Sequence, residues 1–575
     1  MLKLFSFIFL SFSILSFSQS PQKIYVSANS EINTLAKAYQ SVLDNPKRYR
    51  GEVVIEIQEG SYYQDKAVEV TTAIPCKSLS IQAEKGKNVV LHGGKQIKNW
   101  KQHQAQVYVA DFEGEPFRQL YVEGKRATRC RMPNKGEHFL VQDWDLEERT
   151  ILAEKLPFQL ETTEENPTEM VILMSWAEAI LRIKSTSNND KHTIITPLAY
   201  ERDLVFKRMW PKKWKNLHYI LENRFEFIDQ AYEWYFDREK NKVYIQLPKG
   251  LDPNTLTIIA PQTPELLKIT GQEKSMKNIS IQGIDFQYTN WTRAFEYGML
   301  DIQSGQYNIP PTLDNNQYIG RPIAALTFNH VNKSNIRDCH FSNLGAAAID
   351  INKGCSDIVV EGNSIKDIAG NGIMIAQFSS EDHEIHTPYF PPKKELTEDI
   401  TISNNYITRV AQDYYGAIGI TAGFTRGLIV RHNHIEDVPY TAISMGWGWL
   451  HEKNIMKNNS IENNYIHNAV NYLADGGAIY TLSPQPNSFI KNNYMSNIKI
   501  SAIYQSHSPN SAIYCDEGSS GFTISNNLYP GCVSAVKIHQ CGEIKLMEDN
   551  YTPRWTEIQQ KAGLQEEYKK ILKRK

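Results

Sequence analysis

The chain has 575 residues, with 62 Lys plus Arg against 64 Asp plus Glu and a formal net charge of −2. Hydrophobic residues make up 41% and charged residues 22%, which excludes a disordered chain, and the near-neutral balance offers no basic field for nucleic acid. Aromatic residues reach 11%, a richness that suits carbohydrate binding as well as the packing of β-proteins.

At the N-terminus one Lys precedes an apolar run over residues 4–17, and small residues follow at Ser18 and Ser20. This pattern predicts a signal peptide over residues 1–19, with no lipoprotein Cys at the cleavage site, and a periplasmic or secreted protein. The run is too short for a membrane span, and no later segment reads as one. Residues 20–98 carry the strand phrases EVVIEIQEGSYY and SLSIQAEKGKNVVLHGG, with a short capping helix over residues 36–45. They read as an N-terminal cap and the first coils of a solenoid. Residues 99–270 break that rhythm, and turn signals near residues 237–241 and 250–252 predict an inserted antiparallel β-domain.

From about residue 275 one phrase recurs, as in DIVVEGNSIKDI, DITISNNYITRV and GFTISNNLYPGC: alternating β-branched residues, a polar corner, then another apolar residue. Asn stands at the corner in Asn363, Asn405, Asn433, Asn464, Asn493 and Asn527, with gaps of 42, 28, 31, 29 and 34 residues. A second short strand follows each corner, for example GAIYTLS and SAIYCDE. A period near 30 with two or three short strands per repeat defines a stacked solenoid, and the apolar period of two excludes helical repeats. The prediction is an all-β chain, a right-handed parallel β-helix whose main part spans residues 271–550. The corner Asn residues are expected to hydrogen-bond between coils as structure, not chemistry. The insertion over residues 378–398, with His383 and His386, should overhang one face. Residues 551–575 have helical spacing and are expected to cap or pack against the last coil. The seven Cys are scattered without a CxxC pair, so no zinc site is suggested, and Cys339 and Cys515 should face inward.

Two segments carry candidate chemistry, DGGAIY from Asp475 and AIYCDEG from Ala512. Aligning the Ala-Ile-Tyr triplets puts Tyr514 and Asp516 on the outward face. Paired carboxylates at Asp475 and Asp516 would serve glycosidic cleavage, one protonating the leaving oxygen and one activating water. In that alignment Asp475 lies seven positions before the residue facing Asp516, about 23 Å along a straight strand. The pair requires the Gly-Gly turn to fold Asp475 back. Trp447 and Trp449, in Met-Gly-Trp-Gly-Trp, are candidates to stack on sugar faces. Asp413, Tyr415, Tyr514, Glu517 and His507 complete the candidate substrate-binding set. Arg129 is a surface residue in this reading, with a reach toward the groove as its alternative.

The phrases FRQLYV and GKRATRCRMPN, AYEWYFDREKNKVYIQLP, VPYTAISMGWGW, DGGAIYTLSPQPNSFIKNN and AIYCDEGSSGFTISNN resemble glycoside hydrolase family 141 over roughly residues 22–572. The resemblance implies a β-helix α-L-fucosidase or xylanase with two catalytic aspartates, falling on Asp475 and Asp516. The expected activity is an exo-acting α-L-fucosidase on a complex polysaccharide or oligosaccharide, without cofactor or metal, as a monomer. The alternatives are a xylanase or another glycosidase of that family, a polysaccharide lyase, and a non-catalytic glycan-binding solenoid.

Overall fold

The computed structural model describes residues 20–71, 74–208, 211–272, 274–309, 319–379, 387–504, 510–547 and 555–573. The expected signal peptide, His383, His386 and His507 lie outside these residues.

Period-two patterning becomes strands whose alternate residues point inward. Ser356–Glu361 buries Ile358 and Val360 between less buried neighbours. Three parallel sheets run along the molecule, with 13, 10 and 9 strands among the described residues, and together they form a parallel β-helix. One interior column stacks Val68, Leu267, Leu326, Ile349, Ile373, Ile420, Ile443, Ile479, Ile513 and Val536 in register. Each fully buried side chain of this kind contributes about 1.5–3 kcal/mol. The adjacent outward column ends in Ser444, Tyr480, Tyr514 and Lys537.

At one corner the Asn side chains form a ladder. Each Nδ2 donates to the Oδ1 of the next coil, at 2.9 to 3.0 Å from Asn363 through Asn405, Asn433, Asn464 and Asn493 to Asn527. The preceding residues, Gly362, Asn404, His432, Asn463, Asn492 and Asn526, all have positive φ. Gly and Asn bear that conformation at little steric cost, which explains the recurrent Asn-Asn pairs. All seven Cys are free, and Cys339 and Cys515 point into the core.

Two mainly antiparallel sheets, of 8 and 10 strands among the described residues, cover part of the solenoid; hairpins such as Glu233–Asp237 with Lys242–Gln246 build them, and one parallel pair joins Lys125–Arg129 to Glu233–Asp237. The solenoid resumes at Leu267–Thr270, which pairs with Val68–Thr71. A later excursion sends Met299–Gln303 back to pair with Glu178–Asn188, a link that period-two patterning does not signal. Arg129 is buried, at neither surface nor groove. Its Nη1 and Nη2 donate to Glu169 at 2.7 and 2.8 Å, beside Arg118 and Glu222.

The tail forms a helix at Trp555–Lys561 and a 3-10 turn at Glu566–Lys573. It runs along the flank of earlier coils: the Gly563 amide donates to the Asn463 carbonyl at 2.8 Å, the Asn404 Nδ2 donates to Gln565 Oε1 at 2.9 Å, and Ile571 is buried. Among the described residues no helix is long and apolar enough to cross a membrane.

Candidate active site

A cavity of about 470 Å³ lies between the outward sheet face and the inserted domain. Its lining includes Asp475, Asp516, Glu517, Tyr514, Tyr440, Tyr480 and His539 from the solenoid, with Trp176, Arg208 and Trp214 from the insertion and Asp301 and Gln303 from the excursion.

Asp516 follows the strand Ser511–Cys515 and is 9% exposed. Tyr480 donates a short hydrogen bond to its Oδ2, and His539 Nδ1 lies 2.8 Å from its Oδ1. Asp475 reaches the same cavity because its loop folds back. Its φ is 51°, and two glycines follow. A Cβ on Gly476 would stand 2.6 Å from the Tyr440 ring, and one on Gly477 would stand 3.0 Å from Tyr514. Only the bare backbone fits there. Tyr440 donates to the Asp475 carbonyl at 3.2 Å, and the neighbouring Ala474 amide binds Ser175 of the insertion at 2.6 Å. The Asp475 Oδ1 accepts from Tyr514 at 3.4 Å and from Lys537 Nζ at 3.3 Å, while Lys537 also lies 3.9 Å from the Tyr514 ring centre.

Burial, reinforced by the two carboxylates, holds the Tyr440 and Tyr514 hydroxyls well above the ordinary tyrosine range; for Tyr480 burial acts together with Asp516. All three stay neutral and serve as hydrogen-bond donors. Burial pushes the Asp301 carboxyl up to about 8. The Glu178 carboxyl is raised well above its ordinary value by burial and then by the charge of Asp301. Asp516, Glu517 and His539 bring potential metal-ligand atoms within 4.8 Å of one another, and within this group Asp516 and His539 are already joined by a hydrogen bond.

The geometry brings together Asp475, Asp516, Tyr514, Glu517 and Trp449 of the candidates read from sequence. Trp447 stands behind Trp449, fully buried between Trp449 and Phe378 at ring distances of 5.0 and 4.9 Å, because the segment after the strand Ile443–Met445 places its ring in an apolar cluster. Asp413 lies outside the cavity lining: it accepts from Gln119 at 2.8 Å and pairs with Arg126, tying the insertion to the solenoid. Tyr415 is likewise outside the lining, packed on Tyr472 at 4.9 Å with its amide on Glu178. Sequence reasoning missed Tyr440, Tyr480, Lys537, His539 and Asp301. Extending the Ala-Ile-Tyr alignment one coil, to SAVKIHQ at residues 534–540, would have set Lys537 beside Tyr514 and His539 beside Asp516. Asp301 carries no such signal.

The fold and the inserted domain have counterparts among known proteins. A solved structure of a glycoside hydrolase superposes with a TM-score of 0.84 at 27% identity, covering 96% of this chain and 100% of the other. Residues 101–249 match the GH141 insertion domain. Over nearly its whole length the chain is therefore similar to a glycoside hydrolase, and its insertion is similar to that of family 141. More distant likenesses are a complex of XylC with xylose (TM-score 0.43, 12% identity, 92% of this chain and 86% of the other) and DFA-IIIase from Arthrobacter chlorophenolicus A6 (0.38, 9%, 91% and 94%). No curated protein matches the sequence.

Proposed function

We propose that the chain is an exo-acting α-L-fucosidase that removes terminal fucose from a complex polysaccharide, with Asp475 and Asp516 as its general acid and base. The observation that carries this reading is that both carboxylates border one cavity, linked through the Tyr514 side chain. A volume of about 470 Å³ suits a terminal sugar better than a long run of polymer. One carboxyl protonates the glycosidic oxygen as the bond to the anomeric carbon breaks, and the other takes a proton from the attacking water. Tyr480 and Tyr514 fix the two carboxyl groups with neutral donors, Tyr440 holds the Asp475 main-chain carbonyl, and Lys537 adds a cation at Asp475. Trp449 offers an aromatic face to the sugar. In this proposal residues 1–19 are removed on export, so the mature secreted chain begins near Ser20.

Release of the phenol from an aryl α-L-fucoside tests the activity, with xylan and fucose-bearing plant and algal polysaccharides in the same screen. Asp475→Asn and Asp516→Asn should each lower kcat by about a thousandfold or more, as expected for loss of an essential acid or base, with an unchanged melting temperature. Turnover near wild type in either variant would remove that residue from the pair, and cleavage of xylan alone would replace the substrate.

A further inference from the structure

Asp301 is an acidic group in the cavity wall that the proposed catalytic pair leaves unused. It is 4% exposed, and neither carboxyl oxygen has a hydrogen-bond partner of good geometry, although the nearby Glu178 amide offsets a little of the cost of burial. Its strand, Met299–Gln303, pairs antiparallel with Glu178–Asn188, with Leu300 opposite Ala179. The next rung of that ladder sets Glu178 against Asp301. Glu178 is fully buried: its Oε2 accepts from the Tyr415 amide at 3.2 Å, and its Oε1 has no partner. The space beside Asp301 is kept by Gly416, where a Cβ would lie 2.5 Å from Oδ2.

The other charged and titratable groups around the pair do not neutralise it. Arg118 and Glu222 act on Glu178 with opposite signs, and Arg118 is already bound to Glu169 and Glu222. Tyr414 and Tyr415 are neutral, and Arg208 stands elsewhere in the cavity lining. Two ionised carboxylates facing each other across a buried ladder repel strongly, whereas one proton shared between them relieves the repulsion. A buried acid without a partner, in the wall of a sugar-sized cavity, lacks only the acceptor that a sugar hydroxyl supplies.

We propose that Asp301 and Glu178 hold one proton between them and that Asp301 donates it as a hydrogen bond to a hydroxyl of the bound sugar. Asp301 is then a substrate-binding residue, and no bond to its proton breaks during turnover. The proposal rests on the glycosidase reading of the cavity.

The test uses the full chain. With an aryl α-L-fucoside, Asp301→Ala should raise KM about 10- to 100-fold, the loss expected when a buried site for a sugar hydroxyl goes unfilled, with a smaller effect on kcat. Asp301→Asn keeps a donor of the same shape and should recover most of that loss. An unchanged KM in Asp301→Ala, or an equal defect in both variants, would overturn the proposal. The infrared difference spectrum at neutral pH between wild type and the Asp301→Asn, Glu178→Gln double variant should show the carbonyl band of a protonated carboxyl, and its absence would also overturn it. That spectrum, together with L-fucose affinity by calorimetry, needs no turnover. It therefore decides on Asp301 even where Asp475→Asn and Asp516→Asn retain activity and the proposed catalytic pair fails.

Discussion

At Asp301 a single carboxyl sets a pH limit. Its folded-state value of about 8 lies above the unfolded value, near 4, so the folded chain holds that proton more tightly. The associated stability is present in full below about pH 4 and is lost as the pH rises through about 8. Melting temperature measured from pH 4 to 9 should therefore decline in wild type more than in Asp301→Asn, and sugar affinity should weaken on the alkaline side. Glu169 has the opposite sign. Burial alone would push its carboxyl up, but Arg118 and Arg129 outweigh it and hold it down at about 2. Its contribution is present above the unfolded value and is lost as the pH falls through about 2. Glu169→Gln should cost about 3–5 kcal/mol in urea unfolding, because both guanidinium groups remain buried beside it. Gly476→Ala should lower kcat while sparing the fold, since the Tyr440 ring would push the Asp475 loop aside.

Among the elements, the Asn ladder is the clearest case of a polar row held inside a β-helix. Asn433 accepts from the Asn405 amide and side chain and donates to Asn464 and to the Ile402 carbonyl, all at 3.0 Å. Asn433→Ala strands several of these groups at once and should destabilise the chain by about 2–4 kcal/mol, read as a lower urea midpoint at unchanged slope. This row and the interior aliphatic columns were legible in the sequence because a solenoid repeats its solution every coil, and repetition makes local signals add. The DGG and CDEG segments were legible for the same reason. What was not legible belongs to single events. The return of Met299–Gln303 to the inserted sheet depends on a long-range pairing, and with it the place of Asp301. Trp447 and Asp413 were misplaced because their chemistry suits a sugar site equally well, while their neighbours, Phe378 in one case and Arg126 in the other, come from distant segments.

In the whole molecule, the inserted domain turns an open solenoid face into a cavity. Asp413, with Gln119 and Arg126, and Ala474, with Ser175, are among the ties that hold it there. Asp413→Ala should loosen this closure without touching the reacting groups, so KM should rise by several-fold, within the about 1–3 kcal/mol of a lost charged hydrogen bond, while kcat holds. The C-terminal segment has a mechanical consequence. Its contacts at Asn463, His432, Asn404 and Gly362 lie on successive coils in reverse order along the axis. A pulling force applied to the last residue would peel this segment away stepwise before any rung unwinds, and a force trace should record a small early extension ahead of the main rupture.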